Sequence, residues 1–287
     1  MRYAMPRSVV LCLIAAAAPI AVMADEPSEG LVVDWQNRML TIRGPALPGD
    51  VTIHYLEAYC RPGSTDRDWS HTVIPHQSHL LERSDDGKYL VLRDLLADGV
   101  VVRHEIQAGV DEVTFRVVAH NPTDQPSQAH WAQPCVRVDR FTGCGRDDAR
   151  ERLPTYVRKC FLYIDGRLTR LPTTPWADQA RYVYGQVYGA PGVDRNDLNP
   201  RPLSPLVPSC SLTGCYSSDE KMILAMAWEP YQEIFQGVIA CLHCDFRIGG
   251  LEPGQTKQIR GKIYVVPADI DKLWDRFRRD FPEQAAR

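Results

Sequence analysis

After residue 24 the chain has no apolar run long enough to cross a bilayer, and it has no excess of positive charge. With 33 lysines and arginines against 36 aspartates and glutamates, the net charge is -3. That balance leaves no basic footprint for nucleic acid and no polybasic patch for a membrane surface. A phosphate-binding glycine loop, a GxSxG elbow and an HExxH helix are all missing, which removes several large enzyme classes. Internal repeats, low-complexity tracts and a recognisable interdomain linker are missing too.

The long apolar stretch lies at the start. Arg2 and Arg7 precede an apolar run from Ser8 to Met23, and Val22-Met23-Ala24 supplies compact residues for a cleavage site. Residues 1–24 are expected to be a signal peptide, and residues 25–287 a single domain exported to the periplasm or the medium. Cys12 follows Leu11, where a lipid-anchor signal calls for a small residue, so an anchor is not expected. Beyond the leader stand Cys60, Cys135, Cys144, Cys160, Cys210, Cys215, Cys241 and Cys244. In an exported chain these suit disulfides or buried thiols, and eight cysteines allow about 105 pairings.

Strand patterns dominate the remainder. VTIHYLEAY (51–59) alternates, EVTFRVVAH (112–120) sets Val113, Phe115, Val117 and Ala119 on one face, and KQIRGKIYV (257–265) does the same with Ile259, Ile263 and Val265. Turn clusters such as RPGSTD, SDDGK, NPTDQP and EPGQT separate these runs, with no regularly interposed helices. The expected fold is all-β, an antiparallel β-sandwich. The proline-rich segment 189–210 reads as an extended loop that lines a site or covers a sheet edge. Over 268–281, Ile270, Leu273, Trp274, Phe277 and Phe281 fall at helical spacing, predicting a C-terminal amphipathic helix packed on the domain.

Histidines, carboxylates and aromatics near strand ends are the material of a sugar site. HTVIPHQSH carries His71, His76 and His79, but the spacing matches no common zinc pattern and Pro75 argues against a shared helical face. Cys241-x2-Cys244, with His243 inside it, and Cys210-x4-Cys215 are weak zinc signals, and neither a metal nor a cofactor is expected. His130 follows a turn and adjoins Trp131, whose ring is either a stacking face for a sugar or a buried core residue. Tyr182, Tyr184 and Tyr188 offer further aromatic faces, and Glu229 beside Trp228 is a spare carboxylate at a strand end.

The order of these features resembles the galactose mutarotase (aldose 1-epimerase) type of β-sandwich, which also occurs in glycoside hydrolases and polysaccharide lyases. The likeness runs from His76 and His79, through VVAHNPTDQPSQAHW, to CLHCDFRIGGLEPGQTKQIRGKIYVV, spanning roughly 76–266. It implies a mutarotase-like supersandwich and a carbohydrate ligand. His130 becomes the acid that protonates a ring oxygen, with Asp245 or His243 as the base and His76 or His79 holding the sugar. Trp131, Arg137 and Glu229 are expected around the substrate from their own side-chain chemistry and places in the sequence, not from the resemblance. The family's base is a glutamate where this chain has Asp245, and the Asn-Arg pair that precedes its first histidine is not recognised here. Two alternatives stand beside this: a polysaccharide lyase, in which Arg137 and Arg140 would neutralise a uronic carboxylate, and a glycan-binding or cell-envelope module without catalysis.

Overall fold

The computed structural model describes residues 1, 30–63, 69–144, 155–173, 186–198 and 202–285. Residues 2–24 of the expected signal peptide lie outside the described residues, as do Tyr182 and Tyr184. The strands run in order β1 (Val32–Gln36), β2 (Met39–Arg43), β3 (Val51–Cys60), β4 (Val73–Ile74), β5 (His76–Arg83), β6 (Tyr89–Leu96), β7 (Val101–Ala108) and β8 (Glu112–His120). They continue with β9 (Trp131–Arg137), β10 (Cys160–Ile164), β11 (Arg167–Arg170), β12 (Tyr188–Gly189), β13 (Thr213–Tyr216), β14 (Met222–Glu229), β15 (Tyr231–Gly237), β16 (Cys241–Arg247) and β17 (Thr256–Pro267). An eight-stranded sheet has the order β1-β2-β3-β9-β16-β15-β12, with β4 on β3. A nine-stranded sheet has the order β11-β10-β13-β14-β17-β8-β7-β6-β5. The protein is therefore the antiparallel β-sandwich that the alternating segments predicted.

Side-chain alternation explains which face each sheet buries. Val113, Phe115, Val117 and Ala119 of β8 and Ile259, Ile263 and Val265 of β17 all enter the core between the sheets. There they meet Leu242, Cys244 and Phe246 of β16 and Ala132 and Val136 of β9. Each Val, Leu, Ile or Phe side chain among these contributes about 1.5–3 kcal/mol by leaving water. Trp228 of β14 is packed against Gly261, its partner on β17, where an added Cβ would come within 2.4 Å of the indole ring.

One polar network joins the two sheets through this core. Tyr55 and Tyr59 reach from β3, the Tyr55 hydroxyl lying 2.9 Å from His104 Nδ1 and the Tyr59 hydroxyl donating to Asp94 Oδ2 at 2.6 Å. The alternation predicted for 51–59 breaks between His54 and Ala58, where the pairing with β9 shifts register and Tyr55 and Leu56 are both buried.

The C-terminal helix covers Ile270–Asp280, within the expected segment, and Asp269 caps it by accepting from the Lys272 backbone N–H at 3.1 Å. Leu273, Phe277 and Phe281 are buried on the outer face of the nine-stranded sheet, against Phe161 and Tyr264, while Trp274 is half-buried and stacked on Tyr163. The eight described cysteines are free, buried thiols, so the structure takes the second of the two expected cysteine states.

Candidate functional site

The polar chemistry gathers on the other face of the eight-stranded sheet. Because Leu242, Cys244 and Phe246 of β16 point into the core, Cys241, His243, Asp245 and Arg247 all point outward. The same reasoning on β9 turns Trp131, Gln133, Cys135 and Arg137 outward, and the pairing of Glu233 with Asp245 and Phe235 with His243 adds β15. The described part of the proline-rich loop covers this face. Val187 and Leu203 pack on Phe235, and β12 extends the sheet edge at β15.

His130 stands at one end of the face. Its Nδ1 is 3.3 Å from Asp197 Oδ2, and Arg247 donates to the same oxygen at 3.0 Å. The Asp197 Oδ1 accepts from the Gly63 backbone N–H at 3.2 Å, and its backbone carbonyl accepts from Gln232 Nε2 at 2.9 Å. Asp197 belongs to a short 3-10 turn of the loop, Arg195–Asp197, capped by the Asp194 side chain. Its side chain is only 7% exposed, against 24% for His130 and 27% for Arg247. Burial would raise the Asp197 carboxyl, but hydrogen bonds from His130 and Arg247 outweigh it and hold the group below its ordinary value. Gly250, at φ +76°, passes close to the imidazole, where a Cβ would lie 3.1 Å from His130 Nε2.

A second group is sealed at the middle of the face. His243 Nδ1 is 3.4 Å from Asp245 Oδ1 and 3.2 Å from Gln133 Nε2, while its Nε2 lies 3.3 Å from Cys241 Sγ. Phe235 stacks on the imidazole at 4.2 Å. Burial alone would lower His243 and raise the Cys241 thiol. The two groups acting on each other, with Asp245 beside His243 and Cys135 beside Cys241, reverse both directions. Asp245 is pushed up to about 7, chiefly by burial, with His243 opposing.

The third group comes from the β1–β2 hairpin. Asn37 and Arg38 both take positive φ, as a two-residue hairpin turn requires. Arg38 Nη2 then donates to the Leu56 carbonyl at 2.6 Å and the Glu57 carbonyl at 3.0 Å, and to His76 Nε2 at 3.1 Å. An Asn-Arg pair thus does precede His76, contrary to the reading of the sequence. Its place between two short strands, well before the quoted motifs, hid it. Burial first, then the positive charges of Arg38 and Arg137, depress His54 to about 4. His54 therefore accepts rather than carries charge near neutral pH.

Several expected site residues stand elsewhere. Trp131 is fully buried with Ala58, Cys60 and Val73, so its ring offers no stacking face to solvent. His79 is exposed, one place beyond the half-buried Ser78 of β5, and so points away from the face that His76 shares with Arg38. Glu229 lies on the nine-stranded sheet, where it accepts from Gln284 Nε2 at 2.5 Å and lines a groove of about 710 Å³ remote from His130. His71 is exposed on a short helical turn, so the three upstream histidines do not converge. Arg137 stays in the polar cluster, whereas Arg140 is exposed beyond the end of β9. Asp245 and His243 face outward from the eight-stranded sheet and His130 stands at one end of that face, whereas His76 belongs to β5 at the edge of the nine-stranded sheet, packs on Tyr59 and reaches Arg38.

Sequence reasoning did not single out Asp197, Arg247, Cys135 or Arg38. Arg247 and Cys241 were legible, because alternation along CLHCDFR puts them on the same face as His243 and Asp245. Asp197 could be sought only somewhere in a loop already expected to line a site.

No family model and no curated protein matches the chain. Among solved structures it is similar to a putative aldose 1-epimerase from Escherichia coli, at 10% identity and a TM-score of 0.43, over 82% of this chain and 98% of that one. It is similar to a protein from a Synechocystis species at 12% identity and a TM-score of 0.43, over 87% and 99%. A galactose mutarotase-like protein from Lactobacillus casei is similar at 8% identity and a TM-score of 0.43, over 82% of this chain and 100% of that one.

Proposed function

We propose that this protein is exported by its first 24 residues and handles a carbohydrate at the outer face of the eight-stranded sheet, by acid–base chemistry of the mutarotase type. The observation that carries this reading is the partly exposed His130 imidazole, backed on Nδ1 by the Asp197 carboxylate with Arg247 alongside. An imidazole held in this way keeps Nε2 for the substrate and is the group to protonate a ring oxygen. Asp245, at about 7, has the base strength to take an anomeric proton near neutral pH. Arg38, His54, His76 and Arg137 supply donors and acceptors for sugar hydroxyls.

Glycan binding without catalysis is the second reading, and one observation favours it. Asp245 is 0% and His243 3% exposed, so the base must be uncovered before it meets a substrate. The deciding experiment follows the interconversion of α and β anomers of glucose and galactose by magnetisation exchange, with the mature protein and with His130→Ala. Acceleration that disappears in the variant supports the catalytic reading. Saturable sugar binding without acceleration supports the second, and the absence of both across mono- and polysaccharides overturns the carbohydrate assignment.

A further inference from the structure

The acid–base reading leaves a buried pair of thiols at the centre of the sheet face without a task. Cys241 and His243 are two residues apart on β16 and so share a face. The β9–β16 register, with Cys241 opposite Arg137 and Phe246 opposite Ala132, brings Cys135 across from His243. The two sulfurs and one imidazole nitrogen all lie within 4.8 Å of one another. We propose that Cys135, Cys241 and His243 bind one thiophilic divalent cation, zinc.

Four observations support the assignment. Two thiolates and an imidazole are a donor set that selects soft or borderline ions over magnesium or calcium. Zinc bonds of about 2.0–2.3 Å set tetrahedral ligand atoms roughly 3.5–4 Å apart, so the group needs only a small inward turn to close on one ion. Asp245 Oδ1 lies 3.4 Å from His243 Nδ1 and, with the Gln133 amide turned so that its oxygen faces the same nitrogen, holds the ring proton there and leaves Nε2 for the metal. Directly across from Cys241 stands Gly237, where a Cβ would come within 2.4 Å of the sulfur, so it is glycine at this place that lets the thiol lie beside His243.

All three ligands are buried, and among the described residues this is the one such group of three. Three protein ligands leave a fourth position for water. Binding of the ion engages His243 and leaves Asp245 to orient it. The metal site therefore shares Asp245 with the sugar reading, but its test does not use sugar.

The full mature chain, reduced and stripped with a chelator, is titrated with Co²⁺ and then with Zn²⁺. Expected is a single equivalent of Co²⁺ giving thiolate-to-cobalt charge-transfer absorption with the visible bands of a tetrahedral site, abolished when Zn²⁺ displaces it. The spectrum is lost in Cys135→Ser and Cys241→Ser and kept in Cys210→Ser, whose sulfur packs in the separate cluster under the C-terminal helix. Because the wild-type spectrum itself reports thiolate ligation, the test stands even where a variant fails to fold. The proposal is overturned by wild-type protein that gives no such spectrum, by a spectrum that survives Cys241→Ser, or by protein isolated with Cys135 linked to Cys241 as a disulfide.

Discussion

The Asp197 side chain accepts hydrogen bonds from His130, Arg247 and the Gly63 backbone, so one carboxylate orders groups from three separate stretches of chain. Asp197→Asn keeps the shape and removes the charge that the two cationic-capable partners face. Unfolding in urea at pH 7 is expected to show a loss of about 1–3 kcal/mol, the scale of hydrogen bonds to a charged group. Because the folded-state pKa of Asp197 is lowered, its contribution is complete above the ordinary carboxylate pKa and disappears as pH falls through the folded value. The difference between wild type and variant should therefore shrink below about pH 4. A gap that stays constant down to pH 2 would show that shape, not charge, is what Asp197 supplies.

At the scale of elements, the meeting of β14 with β17 depends on one missing side chain. Gly261 faces Trp228, and the indole occupies the space that a Cβ would need. Gly261→Ala forces the ring or the strand to shift, at a cost of about 1–3 kcal/mol in denaturant unfolding. Combining it with Trp228→Leu should cost less than the sum of the two single changes, because the second removes the atoms that collide. Strict additivity would mean that the ring already yields freely. The same element-scale logic explains what the strand patterns revealed. Alternation in EVTFRVVAH and KQIRGKIYV identified the buried faces of β8 and β17 because one face of each must leave water. It could not say that AMAWE belongs to the nine-stranded sheet and CLHCDFR to the eight-stranded one, which is why Glu229 reads in the sequence as a spare for Asp245.

For the whole molecule, the network of Tyr55, Tyr59, Asp94 and His104 ties the two sheets together through the core. Burial acts to raise the Asp94 carboxyl, yet the hydrogen bonds of His104 and Tyr59 prevail and hold it at about 2, below its ordinary 3.8. A depressed carboxylate stabilises the fold above its unfolded pKa and ceases to do so as pH falls through the folded one. Stability should therefore decline by about 2 kcal/mol between roughly pH 4 and pH 2 from this group alone. In Asp94→Asn that component of the acid slope should be absent, although the variant starts from lower stability at pH 7. An unchanged slope in the variant would assign acid sensitivity to other carboxylates.

Local physics written along the chain determined the sandwich, the capped C-terminal helix, the face that His243 and Asp245 share, and a loop destined to cover something. Strand alternation, turn residues and helical spacing are properties of neighbours in sequence, so they survive without a fold. The tertiary structure decided what came from distant segments. It brought Asp197 to His130, Arg38 to His76 and Cys135 to His243, buried Trp131, and turned His79 away. Those outcomes depend on sheet order, register and loop closure, and a residue's own neighbourhood carries no mark of them.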